Sequence, residues 1–452
     1  MTKNDIITQN IMIRGHLTVK KSEIRSIFMN TPEILLKKAD ETEAKLKEKY
    51  PQLVPFFKGC FLNTIETTVS ALEDGTYFVI TGDIPAMWLR DSASQLKPYI
   101  RYADKDEELR SIFRGVIARH AKYISLDAYS NAFNAAASVK ARHRDETDFE
   151  HPLIWERKYE TDSLCASVYL AHEYYSVTYD RSIFTDDFKN MLMKVLEVFR
   201  REQNHMTSPY FFNRTDCPET DTLPNGGKGN EVAYTGMTWS GFRPSDDRCV
   251  YGYLVPANMM AVCALKKAAE LASTGFGDTR LESECRSLAF EIDEGIKEYG
   301  TTEIEGFGRV FAYETDGKGN FVLMDDANSP SLLSAPFLGY LSPDNDIYRN
   351  TRSFILSEKN PWYFTGSAAE GIGSPHTGPD KIWHISLIMQ ALTSTDKQEI
   401  EKCLSMITAT DAGSHLMHES FNKDEPEDYT RPWFAWANSL FAELMIRLAE
   451  QS

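Results

Sequence analysis

The chain lacks the short motifs by which many enzymes bind cofactors or build a nucleophile. It contains no CxxC pair, no GxGxxG or GxxxxGK[ST] loop for a nucleotide, and no GxSxG nucleophile elbow. His415 and His418 precede Glu419, but their order matches neither HExxH nor HxxEH. Nucleotide chemistry and serine-nucleophile chemistry therefore have no support, and we expect neither a metal ion nor another cofactor.

Positive charge and long apolar runs are also scarce. The 49 Lys and Arg residues face 66 Asp and Glu residues, and the net charge of −17 argues against nucleic acid or an anionic membrane as a partner. No apolar run approaches the roughly 18 residues of a membrane span. The first ten residues lack the apolar core of a signal peptide.

The seven cysteines are an odd number and fit free, mostly buried thiols in a reducing compartment better than a disulfide framework. We therefore expect a cytoplasmic protein, or a secreted or periplasmic one if a signal peptide has been removed.

Helical periodicity dominates the sequence. Apolar residues recur on one face over 188–199, after the N-cap candidate Thr185, and over 281–296, before Gly300. A further stripe over 433–448 predicts the last helix, beginning at its first tryptophan.

Strand signals are few. The best are 76–81 and 308–313, and we predict that the second pairs with 320–324 across Asp316-Gly317. No Pro-rich, Ser-rich or low-complexity linker divides the chain. We expect one domain over 1–452, in which residues 1–50 form an N-terminal extension or the first helices.

Six polar segments of similar composition interrupt the helical patterns. Most of them join Trp or Phe to Asp, Glu, Asn, Arg or His and add Gly or Pro to hold an irregular loop, although 324–330 has no Trp or Phe and 155–163 has no Gly or Pro. About two helical patterns separate successive segments, so helix pairs would return each loop to the same end. This predicts an all-α fold, an (α/α)6 barrel with short β-hairpins in the active-site loops. An α-solenoid is the alternative, but no repeat of fixed period supports it. The segments are 80–95, 155–163, 219–248, 324–330, 371–384 and 418–438.

The first segment places Trp88 and Arg90 among the acidic residues Asp83 and Asp91. Buried charges are tolerated when they satisfy one another, so this could be an Arg–Asp pair that ties a loop to a helix. It could equally hold a polar ligand, and a tryptophan face suits a sugar ring.

Carboxylates, aromatic rings and amides are the groups that these segments supply. Glycoside hydrolysis needs one carboxylic acid and one carboxylate in such a pocket. A non-catalytic oligosaccharide-binding barrel could use the same rings. Composition does not select the pair among the eligible residues Asp83, Asp91, Glu156, Asp221, Asp246, Asp247, Asp325, Asp326 and Glu419.

Several long stretches closely resemble glycoside hydrolase family 125. They are residues 81–91, 155–159, 235–247, 324–328, 371–377 and 433–436, and the likeness extends from about residue 55 to 445. Members of this family are exo-α-1,6-mannosidases with an (α/α)6 barrel and an inverting mechanism. The resemblance implies release of terminal α-1,6-linked mannose from the non-reducing ends of mannose-containing oligosaccharides or N-glycans. Another inverting (α/α)6 glycosidase, similar to glucoamylase or trehalase, is the alternative within this class.

The resemblance also implies roles for individual residues. Asp221, in Thr-Asp-Thr-Leu, corresponds to the general acid, and Glu419, in Met-His-Glu, to the general base; Ser420 follows where Gly is also expected. The remaining site residues that it implies are Trp88, Arg90, Asp91, Glu156, Trp239, Arg243, Asp246, Asp247, Asp326, Asn328, His376 and Trp433.

From that set we expect direct contacts with the terminal mannose. Arg90, Asp91, Asn328 and His376 should bind its hydroxyls, and Trp239 should pack against its ring. Many other α-mannosidases hold these hydroxyls with a divalent cation, and here the polar loops would take its place.

Overall fold

The computed structural model describes residues 31–137 and 145–451, and most of this part of the chain is helical. A single turn at Pro224–Gly227 is the shortest α-helical segment. The longer helices are α1 Glu33–Lys49, α2 Val54–Thr67, α3 Leu89–Leu96, α4 Glu107–Leu126, α5 Thr161–Thr178, α6 Asp186–Glu202, α7 Val255–Phe276, α8 Thr279–Tyr299, α9 Asp346–Ile355, α10 His384–Leu392, α11 Lys397–Ala409 and α12 Ala435–Glu450.

The helices form two layers around one axis. In the inner layer α12 packs against α3, α3 against α5, α5 against α7, and α10 against α12. The segment at Leu338 lies between α7 and α10: its carbonyl accepts a hydrogen bond from Tyr169 of α5 at 2.7 Å, and it lines the same central cavity as Met260 and Met389. In the outer layer α2 packs on α12, α4 on α6, α8 on α7 and α11 on α10. The predicted (α/α)6 barrel is confirmed.

The apolar stripes predicted most helix positions correctly. Thr185 caps α6 by accepting a hydrogen bond from the backbone N–H of Phe188 at 3.2 Å, and Gly300 ends α8. The predicted start of the last helix was wrong, because α12 begins at Ala435 and Trp433 lies in the preceding loop. Periodicity continues past a helix end when the loop residues are also apolar.

Short strands connect the helices and form only two- and three-stranded sheets among the described residues. The strands are β1 Val69–Ala71, β2 Tyr77–Val79, β3 Met87–Trp88, β4 Ala132–Phe133, β5 Glu146–Thr147, β6 Ile154–Glu156, β7 Phe212–Asn213, β8 Tyr253–Leu254, β9 Thr301–Ile304, β10 Gly308–Phe311, β11 Glu314–Thr315, β12 Phe321–Val322, β13 Tyr363–Thr365, β14 Glu370–Ile372, β15 Lys381–Trp383, β16 Ser420–Asn422 and β17 Tyr429–Thr430.

The predicted partner of β10 was wrong. β10 pairs with β9, whereas β12 pairs with β11 across the Asp316-Gly317 turn. Gly306, at φ +85°, forms a tight turn that folds β10 back onto the preceding strand. Both hairpins form, and only the end of the predicted strand reaches 320–324, where the N–H of Tyr313 donates to the carbonyl of Val322 at 2.9 Å.

Each inner helix begins directly after a polar loop. Trp88, Glu160, Leu254, Trp383 and Phe434 are the last residues before α3, α5, α7, α10 and α12. The three-stranded sheets β3–β4–β6, β8–β11–β12 and β15–β16–β17 join these loops. The helix starts and their loops therefore gather at one end of the barrel.

The seven cysteines are all free thiols, as predicted. The cytoplasmic location expected from them stays a prediction. The single domain over 1–452 also stays a prediction, and its first 30 residues lie outside the described residues.

Candidate active site

Arg90, the second residue of α3, is the centre of a buried cluster of charges. Its Nη1 lies 2.6 Å from Glu160 and 3.1 Å from Asp162. Its Nη2 lies 3.4 Å from Asp91 and 3.8 Å from Asp246. Burial raises the pKa of Asp91 to about 6, although the charge of Arg90 acts in the opposite direction. One guanidinium thus ties together the starts of α3 and α5 and the loop before α7.

Several buried polar atoms beside this cluster have no hydrogen-bond partner among the described residues. They include Trp88 Nε1, Asp91 Oδ2 and Asp247 Oδ2. Buried polar groups in folded proteins almost always have a partner, so these atoms are suited to the hydroxyls of a bound ligand. Trp155 and Ile84 pack beside Trp88 and add apolar surface.

His376 and Asp247 form a second group of charged side chains, separate from the Arg90 cluster. Its Nδ1 lies 3.2 Å from Asp247 Oδ1, and 37% of its side chain is exposed. Burial alone would lower the pKa of His376, but the charge and hydrogen bond of Asp247 raise it to about 9. His376 is therefore a cation at neutral pH and can donate a hydrogen bond.

Asp326 holds the neighbouring loops in place. Its Oδ2 accepts hydrogen bonds from Ser245 at 3.2 Å and Ser374 at 3.1 Å, and its Oδ1 accepts from Asn328 at 3.3 Å. Burial raises the pKa of Asp326. The structure brings Asp326 and Asn328 next to the His376 loop but uses Asp326 mainly to bind protein groups.

Asp221 lies between two cations. Lys158 Nζ donates to its Oδ1, and Arg214 Nη1 donates to its Oδ2 at 2.8 Å. Burial raises the pKa of Asp221, but these charges outweigh it and leave the pKa below its ordinary value. Glu156 joins the same group by accepting from Arg214 Nη2 at 2.9 Å.

Asp246 bridges the Arg90 and Asp221 clusters. Its carboxylate lies near Arg90, and its backbone carbonyl accepts from Lys158 Nζ at 2.8 Å. Burial would raise the pKa of Asp246, but Lys158 and Arg90 lower it to about 2. The residue has φ +69°, a left-handed conformation that asparagine and aspartate tolerate and that is common at functional sites.

Glu419 is fixed by the sheet that follows it. The next residue, Ser420, pairs with Trp383 of β15 and Thr430 of β17. Arg431, directly after β17 and at φ +44°, places Nη1 3.6 Å from Glu419 Oε1. Glu419 is 7% exposed, and the sheet sets its backbone position.

His384 supports the segment before Glu419. The backbone N–H of His418 donates to His384 Nδ1 at 2.9 Å, and His384 Nε2 lies 3.1 Å from Thr410 Oγ1. Burial lowers the pKa of His384 to about 3, so the ring is neutral and Nδ1 is free to accept.

Trp239 and Arg243 lie inside the protein rather than on the pocket surface. Trp239 is 1% exposed and stacks on His205 at a ring distance of 3.4 Å, which does not fit the expected packing against a sugar. Arg243 donates from Nε to Glu314 at 2.6 Å and lies over the ring of Tyr313. Their place in the polar segment 219–248 gave no sign of this burial, which depends on non-local packing.

Trp433 is half-buried in the loop before α12. Its Nε1 donates to Asn63 at 3.3 Å, which fixes the orientation of the ring. Because its ring is only partly buried, Trp433 can still contact a ligand.

A family model matches residues 50–446, and its description is metal-independent α-mannosidase, glycoside hydrolase family 125 (GH125). The chain belongs to GH125. It is a glycoside hydrolase of the α-mannosidase type, which decides against the glucoamylase-like, trehalase-like and non-catalytic alternatives.

Relatives and solved structures agree with the GH125 assignment. A Streptococcus pneumoniae metal-independent α-mannosidase, solved as a non-productive complex with α-1,6-mannobiose, is 44% identical; the match covers 93% of this chain and 99% of that one, at a TM-score of 0.91. The meiotically up-regulated gene 157 protein of Schizosaccharomyces pombe is 37% identical over 92% of this chain and 86% of its own length. A glucoamylase from Saccharomycopsis fibuligera shares the fold at 12% identity and a TM-score of 0.53, over 92% and 96% of the two chains.

The donor groups of this α-mannosidase do not form a metal centre in the part of the chain that the structure describes. No group of three or more His, Cys, Asp or Glu side chains there could hold an ion. His415 Nδ1 lies 3.3 Å from Asp411, whereas His418 stacks on Tyr429. Over the same residues, no helix is both long enough and apolar enough to cross a membrane.

Sequence reasoning missed several residues of the GH125 site. Lys158 and Glu160 lie within the polar segment 155–163, and Arg431 lies within 418–438, so their composition was a usable signal. Arg214 lies outside all six segments, and nothing in the sequence around it indicated contact with Asp221.

Proposed function

We propose that this α-mannosidase is exo-acting, cleaves α-1,6-linked mannose from the non-reducing ends of oligosaccharides or N-glycans, and inverts the anomeric configuration. The α-1,6-mannobiose bound by the Streptococcus pneumoniae relative supports the linkage. The observation that carries the proposal is the set of buried polar atoms that accept or donate no hydrogen bond among the described residues, Trp88 Nε1, Asp91 Oδ2 and Asp247 Oδ2, because such atoms suit the hydroxyls of a sugar.

We assign the chemistry to Asp221 and Glu419. Asp221 would give a proton to the glycosidic oxygen as its bond to the anomeric carbon breaks. Glu419 would take a proton from the water that attacks that carbon from the opposite face. Inversion needs room for this water, so the two carboxyl groups should lie roughly 6.5–9.5 Å apart in the complex.

The terminal mannose would bind between the Arg90 and His376 groups. Arg90, Asp91, Asp247 and His376 offer charged hydrogen-bonding groups to its hydroxyls, and Trp88 offers an N–H. Charge-assisted hydrogen bonds replace the contacts that a cation provides in metal-dependent mannosidases.

A panel of linkages tests the substrate. The wild-type enzyme should release mannose from α-1,6-mannobiose much faster than from the α-1,2 and α-1,3 isomers, as measured by the rate of mannose release. Comparable cleavage of the other linkages would refute the proposed specificity.

Two isosteric variants test the roles. Asp221→Asn should lose most activity on mannobiose but much less on dinitrophenyl α-mannoside, because that leaving group needs no proton. Glu419→Gln should be poor on both, because its water stays unactivated. Equal losses on both substrates in Asp221→Asn would remove Asp221 as the acid.

A further inference from the structure

The proposed general acid is held in a state that cannot donate a proton. Both oxygens of Asp221 accept hydrogen bonds from cations, Lys158 on Oδ1 and Arg214 on Oδ2. Protonation would remove the negative charge that pairs with both cations, so these contacts oppose it. Loss of at least one of them would therefore favour the protonated form that an acid needs.

Lys158 and Arg214 each contact other oxygen atoms besides those of Asp221. Lys158 also donates to the Asp246 carbonyl at 2.8 Å and lies 3.7 Å from Glu156. Arg214 also donates to Asp145 at 2.7 and 2.9 Å and to Glu156 at 2.9 Å. Departure of Asp221 would leave neither cation unpaired, so it avoids the large cost of an isolated buried charge.

Asp221 is also more accessible than either of the two cations. Its side chain is 22% exposed, compared with 2% for Lys158 and 3% for Arg214. It ends a short turn, Glu219–Asp221, whereas Lys158 and Arg214 follow strands β6 and β7. A change in these contacts is therefore easiest at the Asp221 side chain, while the backbone at Thr220 stays tied by the N–H of Arg248 at 2.7 Å.

We propose that Lys158 and Arg214 hold Asp221 in an ionised resting position, and that the leaving-group sugar frees it to take up a proton from solvent. Lys158 and Arg214 are positioning residues in this scheme, which rests on the proposed role of Asp221. Substrate hydroxyls would take over their hydrogen bonds, and the proton would bind Asp221 from water. Asp221 is then protonated only when the leaving-group sugar is bound, and it is ionised in the empty enzyme.

The protonation of Asp221 also depends on the charged groups of the neighbouring segments. The groups that face Asp221 or its two cations are Glu156, Lys158, Asp145, Arg214 and Asp246, together with the thiol of Cys217 on the same loop.

Calorimetry can count the proton. Glu419→Gln prevents turnover, and binding is measured at about pH 5, above the ordinary aspartate pKa of about 3.9, in buffers of different ionisation enthalpy. α-1,6-Mannobiose should bind with uptake of close to one proton, and mannose alone, which fills only the terminal position, with clearly less. Adding Asp221→Asn should abolish the difference between the two ligands.

A matched pair of lysine variants tests whether Lys158 holds Asp221 in its ionised form. In the same background at about pH 4, Lys158→Met should cut the uptake on mannobiose binding to about half a proton, because loss of this cation lets the pKa of Asp221 return towards its ordinary value of about 3.9 and the carboxyl is then about half protonated before the sugar arrives. Lys97→Met removes a lysine that pairs with Glu173 at 2.8 Å on α5 and should keep the full uptake.

Mannobiose binding without proton uptake would overturn the inference while leaving the proposed function intact. If the folded Glu419→Gln enzyme binds no disaccharide in any buffer, by heat or by competition with mannose, the proposed function fails and the inference with it. The measurement in the Glu419→Gln background needs neither the Asp221 nor the Lys158 variant to fold.

Discussion

Arg90 shows how this site uses charges that a core would otherwise exclude. Its carboxylate partners include Glu160 and Asp162, which are fully buried and whose pKa values are raised by burial. Removing one member of a buried ion pair typically costs about 3–5 kcal/mol. The first polar segment therefore serves the structural role left open by its sequence, since the guanidinium joins two helix starts, and its role in holding a ligand stays a prediction.

Replacement of Asp91 tests whether that orientation serves a ligand. A charge-assisted hydrogen bond to a buried group is worth about 1.5–3 kcal/mol, so Asp91→Ala should lower kcat/KM by roughly tenfold or more. Asp74→Asn is the control, because Asp74 pairs with Arg119 and Lys122 outside the pocket. If a folded Asp91→Ala enzyme shows wild-type kinetics, Arg90 and Asp91 have only a structural role and do not bind the sugar.

The His376 and Asp247 pair gives a direct electrostatic test. NMR titration of the His376 ring should give a pKa near 9, and Asp247→Asn should return it towards the ordinary value of about 6.5. Because the folded pKa is raised, the protonated form and its contacts are present at neutral pH and are lost as the pH rises through about 9. An ordinary pKa in the wild type would contradict the described contact.

At the scale of elements, the small sheets join the loops that carry the site residues to one another. Glu419 and Arg431 come from the two ends of one hairpin, and β15 sets both against the start of α10. A second pairing, between Gly82 and Phe434, joins the first polar loop to the last. Arg431 completes that junction by donating to Asp83 at 2.8 Å and Thr81 at 2.9 Å.

Gly82→Ala tests this junction. Gly82 has φ +122°, and a Cβ there would overlap the carbonyl oxygen of Trp433. We expect a lower melting temperature and at least a tenfold fall in kcat/KM, because the shift moves Arg431 and with it Glu419. Gly75→Ala is the matched control, with φ +77° and nothing within 4 Å of its Cβ. Its strain is similar, about 1–3 kcal/mol, but its activity should be unchanged; equal kinetic effects would contradict the proposed link.

Elements were predictable from the sequence where the information was local. The stripe over 188–199 with its Thr185 cap needs only neighbouring residues, and it was located correctly. The partner predicted for β10 was wrong, because the strand at 301–304 that pairs with it had not been predicted. Likewise Arg214 reaches Asp221 through packing of separate loops, and Trp239 is buried by residues far away in sequence.

At the scale of the whole molecule, the barrel explains how short loops make one pocket. Parallel inner helices place their first residues at the same end, so loops far apart in sequence meet there. Motif spacing was enough to predict this architecture, whereas the division of roles among its many carboxylates came from family resemblance.

Metal independence is a property of the assembled pocket, and chelation tests it. The family description is metal-independent, and the groups proposed to bind the sugar hydroxyls are Arg90, His376 and their carboxylate partners. Prolonged treatment with EDTA should leave kcat/KM on α-1,6-mannobiose unchanged. A loss restored by calcium or zinc would show that the Asp and His loops hold an ion.

The stereochemistry of the first product tests the central claim most directly. Time-resolved proton NMR of α-1,6-mannobiose hydrolysis should detect β-mannose first, followed by slow conversion to the α anomer in solution. That order requires a water activated by Glu419 on the face opposite the bond that Asp221 protonates. If α-mannose appears first, Glu419 would be a nucleophile, and the proposed division of labour between Asp221 and Glu419 would be wrong.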